Sequence, residues 1–131
     1  MMAAPAGRLR TFTLNALRIM TGFLFVQHGA QKLFGVLGRD AVDSIVSMSG
    51  AAGVLEFFGG LAIIVGICTR QVAFVLSGMM AVAYWMAHGT KAFWPIANGG
   101  ELAALYCFVF LFLFAHGGGD LSVDGWLRSR R

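Results

Sequence analysis

The sequence predicts an all-α protein, an integral-membrane antiparallel four-helix bundle, and three observations carry that expectation. Of 131 residues, 58% are apolar and 12% charged, against roughly 45–50% and about 25% in soluble domains. Cutting the chain at its Gly, Pro and charged clusters leaves four long apolar segments, approximately 12–34, 51–68, 72–89 and 101–116. Each is near the ~17–25 residues that cross a bilayer, the last being the shortest. Backbone amides find no water inside lipid, so such segments must be helices. They use most of the chain, so residues 1–131 are expected to form a single membrane domain with the lipid bilayer as its solvent.

Taken in order, the first segment is preceded by Arg8 and Arg10 and interrupted by Arg18. That interruption, with no small-residue cleavage site after it, argues against a cleaved signal and for a retained helix. A polar connection over 35–50 follows, in which 40–49 is expected to hold a short interfacial helix, because Ala41, Val42, Ile45, Val46 and Met48 alternate with polar residues. Thr69-Arg70-Gln71 makes the second connection a tight hairpin. The third, 90–100, is longer and carries Pro95, Asn98, Gly99 and Gly100.

An even number of spans puts both termini on one side. That side carries Arg8, Arg10, Arg70, Arg128, Arg130 and Arg131, the other Lys32, Arg39 and Lys91. The positive-inside rule then predicts cytoplasmic termini. The formal charge of +4 sits mainly at the chain ends, which suits anionic headgroups; no nucleic-acid partner is expected.

This topology gathers polar residues at one level. Gln27, His28, Gln31 and Lys32 lie near the outer end of helix 1, and His28 and Lys32 share a face at i,i+4. Glu56 falls about 8 Å below the outer end of helix 2 at 1.5 Å per residue. His88 closes helix 3, and Asn98 and Glu101 open helix 4. A carboxylate in lipid is costly enough that Glu56 should face the bundle interior and meet Lys32, His28 or His88. Glu56, His28, Lys32, Gln31, His88 and Glu101 are therefore the candidate ligand or proton-site residues.

Competing readings stand beside each candidate. Lys32, Lys91 and Glu101 can snorkel to headgroups without any function. Trp85 and Trp94 fit an aromatic belt better than a site. Glu56 can serve a plain structural ion pair, and either histidine can simply bond a carbonyl. Arg18 and His116 are read as structural or inner-side residues: Arg18 either snorkels inward or pairs near His116 or Asp120. The small-residue pairs Ala62/Gly66 and Ser77/Ala81 favour close helix contact.

Other chemistries lack their motifs. Cys68 and Cys107 form no CxxC and sit at incompatible depths for a disulfide, so buried inert thiols are expected. His28, His88 and His116 show no ligand spacing; no metal and no covalently bound cofactor are expected. In "HGGGD" at 116–120 the glycines follow a helix rather than open one, so they read as its stop.

With these residues in view, the chain resembles the DoxX family of small bacterial and archaeal membrane proteins. The likeness rests on "RIMTGFLFVQHGAQKLFG", with Arg18, Gly22, Phe25, His28, Gly29, Lys32 and Leu33; on "EFFGGLAIIVGICTR", with Glu56, Gly59, Gly60, Gly66 and Arg70; and on "NGGELAALY" and "GGGDLSVD". It implies a four-helix protein of the inner (plasma) membrane. Relatives are similar to the small subunit of a quinone-reducing thiosulfate oxidoreductase or are linked to oxidative-stress assemblies. Lacking a cysteine pair, the chain departs from a branch tied to disulfide formation.

The favoured expectation is an accessory subunit of a quinone-linked oxidoreductase, with a protein partner in a membrane redox complex, homo-oligomers allowed, and quinone as the ligand of the outer polar cluster. Nothing in the chain holds electrons by itself, and no reaction is assigned to it. The alternatives are a non-catalytic assembly subunit docking through "YCFVFLFLF" and, third, a small-solute or proton pathway, for which the sequence has no broken helix pair.

Overall fold

The computed structural model describes residues 5–131, and all regular structure among them is helical. Helix α1 is Pro5–Phe34, α2 Met48–Val65 and α3 Thr69–Tyr84, which runs on into a π-helical turn, Trp85–Gly89. A short α4, Pro95–Asn98, precedes α5, Glu101–His116, and α6, Val123–Ser129. α1 begins seven residues before the expected apolar segment because the exposed Arg8 and Arg10 and the half-buried Thr11 continue the helix as a polar turn.

α1 and α2 run antiparallel in close contact. Glycines make this possible: a Cβ on Gly29 would overlap the backbone at Phe57 and lie 2.8 Å from the Gly53 carbonyl, and one on Gly22 would lie 2.8 Å from the Gly60 carbonyl. The expected pair Ala62/Gly66 does not make this contact, whereas Ser77 of the pair Ser77/Ala81 is buried where α3 meets α5. Gly66 instead ends α2 at φ +71°, its amide bonding the Ala62 carbonyl. α3 and α5 form the second antiparallel pair, joined by Ser77 Oγ donating to the Cys107 carbonyl at 2.8 Å.

Between the pairs lies a core of Phe25, Ile63, Ala73, Leu76, Met80, Tyr106, Phe110 and Leu113. Phe25 meets Tyr106 and Phe110 edge-on, at centroid distances of 5.1 and 4.9 Å. The outside remains apolar: Phe12, Phe58, Phe74, Val82 and Phe108 are more than half exposed. α2 and the α3 segment to Gly89 are both long and apolar enough to cross a membrane, and only 28% and 22% of their apolar windows are buried. A helix from the centre of a soluble core shows the opposite distribution.

The interfacial helix expected over 40–49 is absent. Residues 35–47 form turns, the Ser47 amide bonding the Ser44 carbonyl, and Ser47 Oγ caps α2 through the Gly50 amide at 3.0 Å. Ser44 and Ser47 compete for backbone groups that a helix would need. α2 therefore starts at Met48, and Glu56 lies about 12 Å along it rather than 8 Å.

Candidate functional site

Where α1 ends, α2 begins and α5 begins, the polar residues of separate helices converge. Lys32 Nζ lies 2.7 Å from Glu56 Oε1. Gly53 clears the path: a Cβ there would come within 2.9 Å of the Lys32 Cβ. Both partners are largely buried, and Glu56 Oε2 is buried with no hydrogen-bond partner among the described residues. A buried carboxylate oxygen without a donor is costly, so this position favours an incoming donor.

The pair opens on a cavity of about 410 Å³ whose wall includes His28, His88, Tyr106 and Phe25. The His28 ring stands edge-on to Tyr106, with centroids 6.1 Å apart. His88 reaches the cavity from the π turn, where the wider winding displaces the side chains that follow it. Its Nδ1 lies 3.1 Å from the Asn98 carbonyl. Only the ring nitrogen can donate to a carbonyl, so Nε2 of the neutral ring is left as an acceptor.

Asn98 holds this corner together. Its amide nitrogen donates to the Tyr84 hydroxyl at 3.0 Å and to the Ala92 carbonyl at 3.1 Å, while its oxygen accepts from the Gly100 amide at 2.7 Å. Sequence reasoning set Asn98 at this level, where helix 4 opens, but gave it none of these bonds. It also omitted Tyr106 and Arg39, both of which line the cavity. Tyr106 was detectable, one helical turn before the core residue Phe110; Arg39 had no local signal.

Two candidates fall outside. Gln31 donates to the Leu37 carbonyl at 2.8 Å, fastening the end of α1 to the following turn. Glu101 is exposed in the first turn of α5, beside a separate shallow hollow with Pro95 and Leu105.

The opposite end is a separate arrangement. Arg18 is fully buried and does not snorkel; it pairs near His116 and Asp120, with backbone carbonyls rather than with either side chain. Its guanidinium donates to the carbonyls of Gly118 at 2.7 Å and Ile63 at 2.9 Å, to those of Ile64 and Leu121, and to Asn15 Oδ1. The Ile63 and Ile64 carbonyls end α2, where the helix dipole favours a cation. His116 is exposed, stacked on Phe112 with Nδ1 against that residue's carbonyl.

Asp124 of α6 completes this end by accepting from the amides of Cys68 at 2.9 Å and Thr69 at 2.8 Å, which caps α3. Burial pushes its carboxyl up, but those amide bonds and the charge of Arg128 outweigh that and leave it below its ordinary value. Both cysteines are free; Cys68 is exposed rather than buried as expected, because it occupies the turn at φ +47°.

Comparison with known proteins bears on these residues. The family model described as DoxX matches residues 13–89, a span that contains Arg18, His28, Lys32, Glu56 and His88. An uncharacterized protein of Haemophilus influenzae is 39% identical over 125 residues, covering 89% of this chain and 92% of its own. No solved structure matches.

Proposed function

The chain belongs to the DoxX family, and from that membership and the cavity we propose a multi-pass inner-membrane protein that acts as an accessory subunit of a quinone-linked oxidoreductase. α1, α2, α3 and α5 form an antiparallel four-helix bundle in the bilayer, with both termini cytoplasmic and the cavity in the outer half. The outward apolar side chains and the excess of Arg on the side of Arg8, Arg70 and Arg128 support this placement.

One observation carries the functional reading: a buried carboxylate with a free oxygen, beside an ammonium, on a cavity large enough for a small ring. A quinone headgroup fits these residues, since its carbonyls accept hydrogen bonds and its ring packs on aromatic walls. Bound quinone supplies the acceptor of two electrons and two protons, the electrons coming from a redox partner subunit. Lys32 and His28 orient the headgroup by donating to its oxygens. Glu56 Oε2 and His88 Nε2 are the atoms that take up and pass on a proton within the site. Phe25 and Tyr106, packed edge-on against each other, form an aromatic wall that excludes water.

The test is the affinity of a quinone analogue for the purified protein in lipid nanodiscs. Glu56→Gln and His28→Ala should each weaken it about 10-fold, the worth of one hydrogen bond to a charged or polarised group. Unchanged affinity in both contradicts the reading.

A second reading has its own observation. Phe108 and Phe112 of α5, at i,i+4, form an exposed aromatic face, suited to docking a larger membrane complex without ligand binding. Stable co-purification with such a complex, lost in Phe108→Ala/Phe112→Ala and indifferent to Glu56→Gln, would favour it.

A further inference from the structure

The polar cavity shares three wall residues, Ser49, Ala83 and Ala87, with a second hollow of about 520 Å³ between the start of α2 and the end of α3. The remaining wall of that hollow is apolar, with Ala52, Leu55, Met79, Val82 and Met86. Leu55, Val82 and Met86 are exposed, so the groove opens sideways on the outer surface of the helix pair. The two spaces therefore meet across a threshold of small side chains, with charge on one side and hydrocarbon on the other.

We infer that the two spaces are one bipartite site, the groove receiving the first isoprene units of a quinone whose headgroup lies against Glu56 and Lys32. The inference rests on the quinone reading and extends it: the ligand is a tailed, membrane-dissolved quinone that enters laterally between α2 and α3. Its polarity changes where the wall's polarity changes. A water-soluble ring would leave the groove unused, and a phospholipid would bring two chains and a phosphate to a single channel. From Ser49 to Leu55 the groove runs about 9 Å along α2, enough for about two isoprene units. Met79 and Met86 can adapt to a branched chain.

The test uses a quinone bearing a photoreactive diazirine on its first isoprene unit, with the full chain in nanodiscs and labelled peptides mapped by mass spectrometry. Labelling should fall on Leu55, Met79, Val82 or Met86 and be competed by an untagged tailed quinone. Glu56→Gln should abolish most of it. Ala52→Phe, which fills the groove, should narrow the affinity advantage of tailed over tail-less quinone about 10-fold.

Each contrary outcome has a distinct meaning. Labelling elsewhere that still requires Glu56 overturns the groove and leaves the headgroup reading standing. Groove labelling that ignores Glu56→Gln and is competed by phospholipid makes the groove an annular lipid site and overturns the inference. Absence of specific labelling, together with absent binding of tail-less quinone, overturns both readings. An Ala52→Phe protein that fails to fold leaves a chain-length series on the unmodified protein: affinity must rise over the first units and then level, and a flat series overturns the inference.

Discussion

Lys32 Nζ sits 2.7 Å from Glu56 Oε1 while the second oxygen of the same carboxylate is buried without a partner. The ammonium therefore satisfies one oxygen of the carboxylate and leaves the other without a donor, in a residue that lines the cavity. Removing one member strands the other. Lys32→Met should destabilise the protein by about 3 kcal/mol, and Glu56→Leu in the same chain should recover most of that loss, since replacing a whole buried pair is close to neutral. Thermal unfolding in detergent of the single and double variants checks both values.

Helix contact through glycine makes an opposite pair of predictions for one substitution type. Gly29→Ala drives a methyl into the backbone at Phe57, with no flexible side chain to yield, and should cost about 3 kcal/mol as the helices separate. Gly78→Ala meets nothing within 4 Å. On α3 it should stabilise by about 0.5–1 kcal/mol through helix propensity. Denaturant titration of the two variants should move in opposite directions.

Arg18 has no carboxylate partner among the described residues, and its five hydrogen bonds go mainly to carbonyls. Lysine keeps the charge but brings its donors on a single nitrogen, which cannot span carbonyls from α2 and from the 118–121 turn. Arg18→Lys should lose about 3 kcal/mol and expose the segment after Gly117 to protease. Stability and cleavage rate, measured together, test this.

Asp124 sets an acid limit. Its folded pKa is depressed, so its contribution is complete above the unfolded value near 4 and is lost as pH falls through the folded value. Between the two values the unfolded chain binds more protons, so stability rises with pH there. Asp124→Asn should flatten that part of the stability curve and cost about 1 kcal/mol at neutral pH by weakening the α3 cap.

The meeting of Glu56 with Lys32 was legible because a charge among apolar residues has few affordable positions, and the topology put both at one end. The same reasoning left Arg18 a structural residue that either snorkels or pairs near His116 or Asp120; its partners do lie there, but they are carbonyls, which any residue could supply and which leave no mark in the sequence. The helix expected over 40–49 failed because apolar spacing was weighed above the turn-forming serines. Gly22/Gly29 and Gly53/Gly60 recur at seven-residue intervals on facing helices, a signal present in the sequence and passed over for Ala62/Gly66. The π turn that brings His88 to the cavity has no composition of its own, so only the structure reveals it.

The chain has just two glutamates, Glu56 and Glu101, so one spectrum can interrogate the cavity directly. Infrared difference spectra of protein labelled with ¹³C-glutamate, recorded with and without a quinone analogue, report a change of protonation or hydrogen bonding at a carboxyl group. The account predicts a glutamate signal on binding that Glu101→Gln keeps and Glu56→Gln removes. Binding with no glutamate signal, or a signal that follows Glu101, would contradict it.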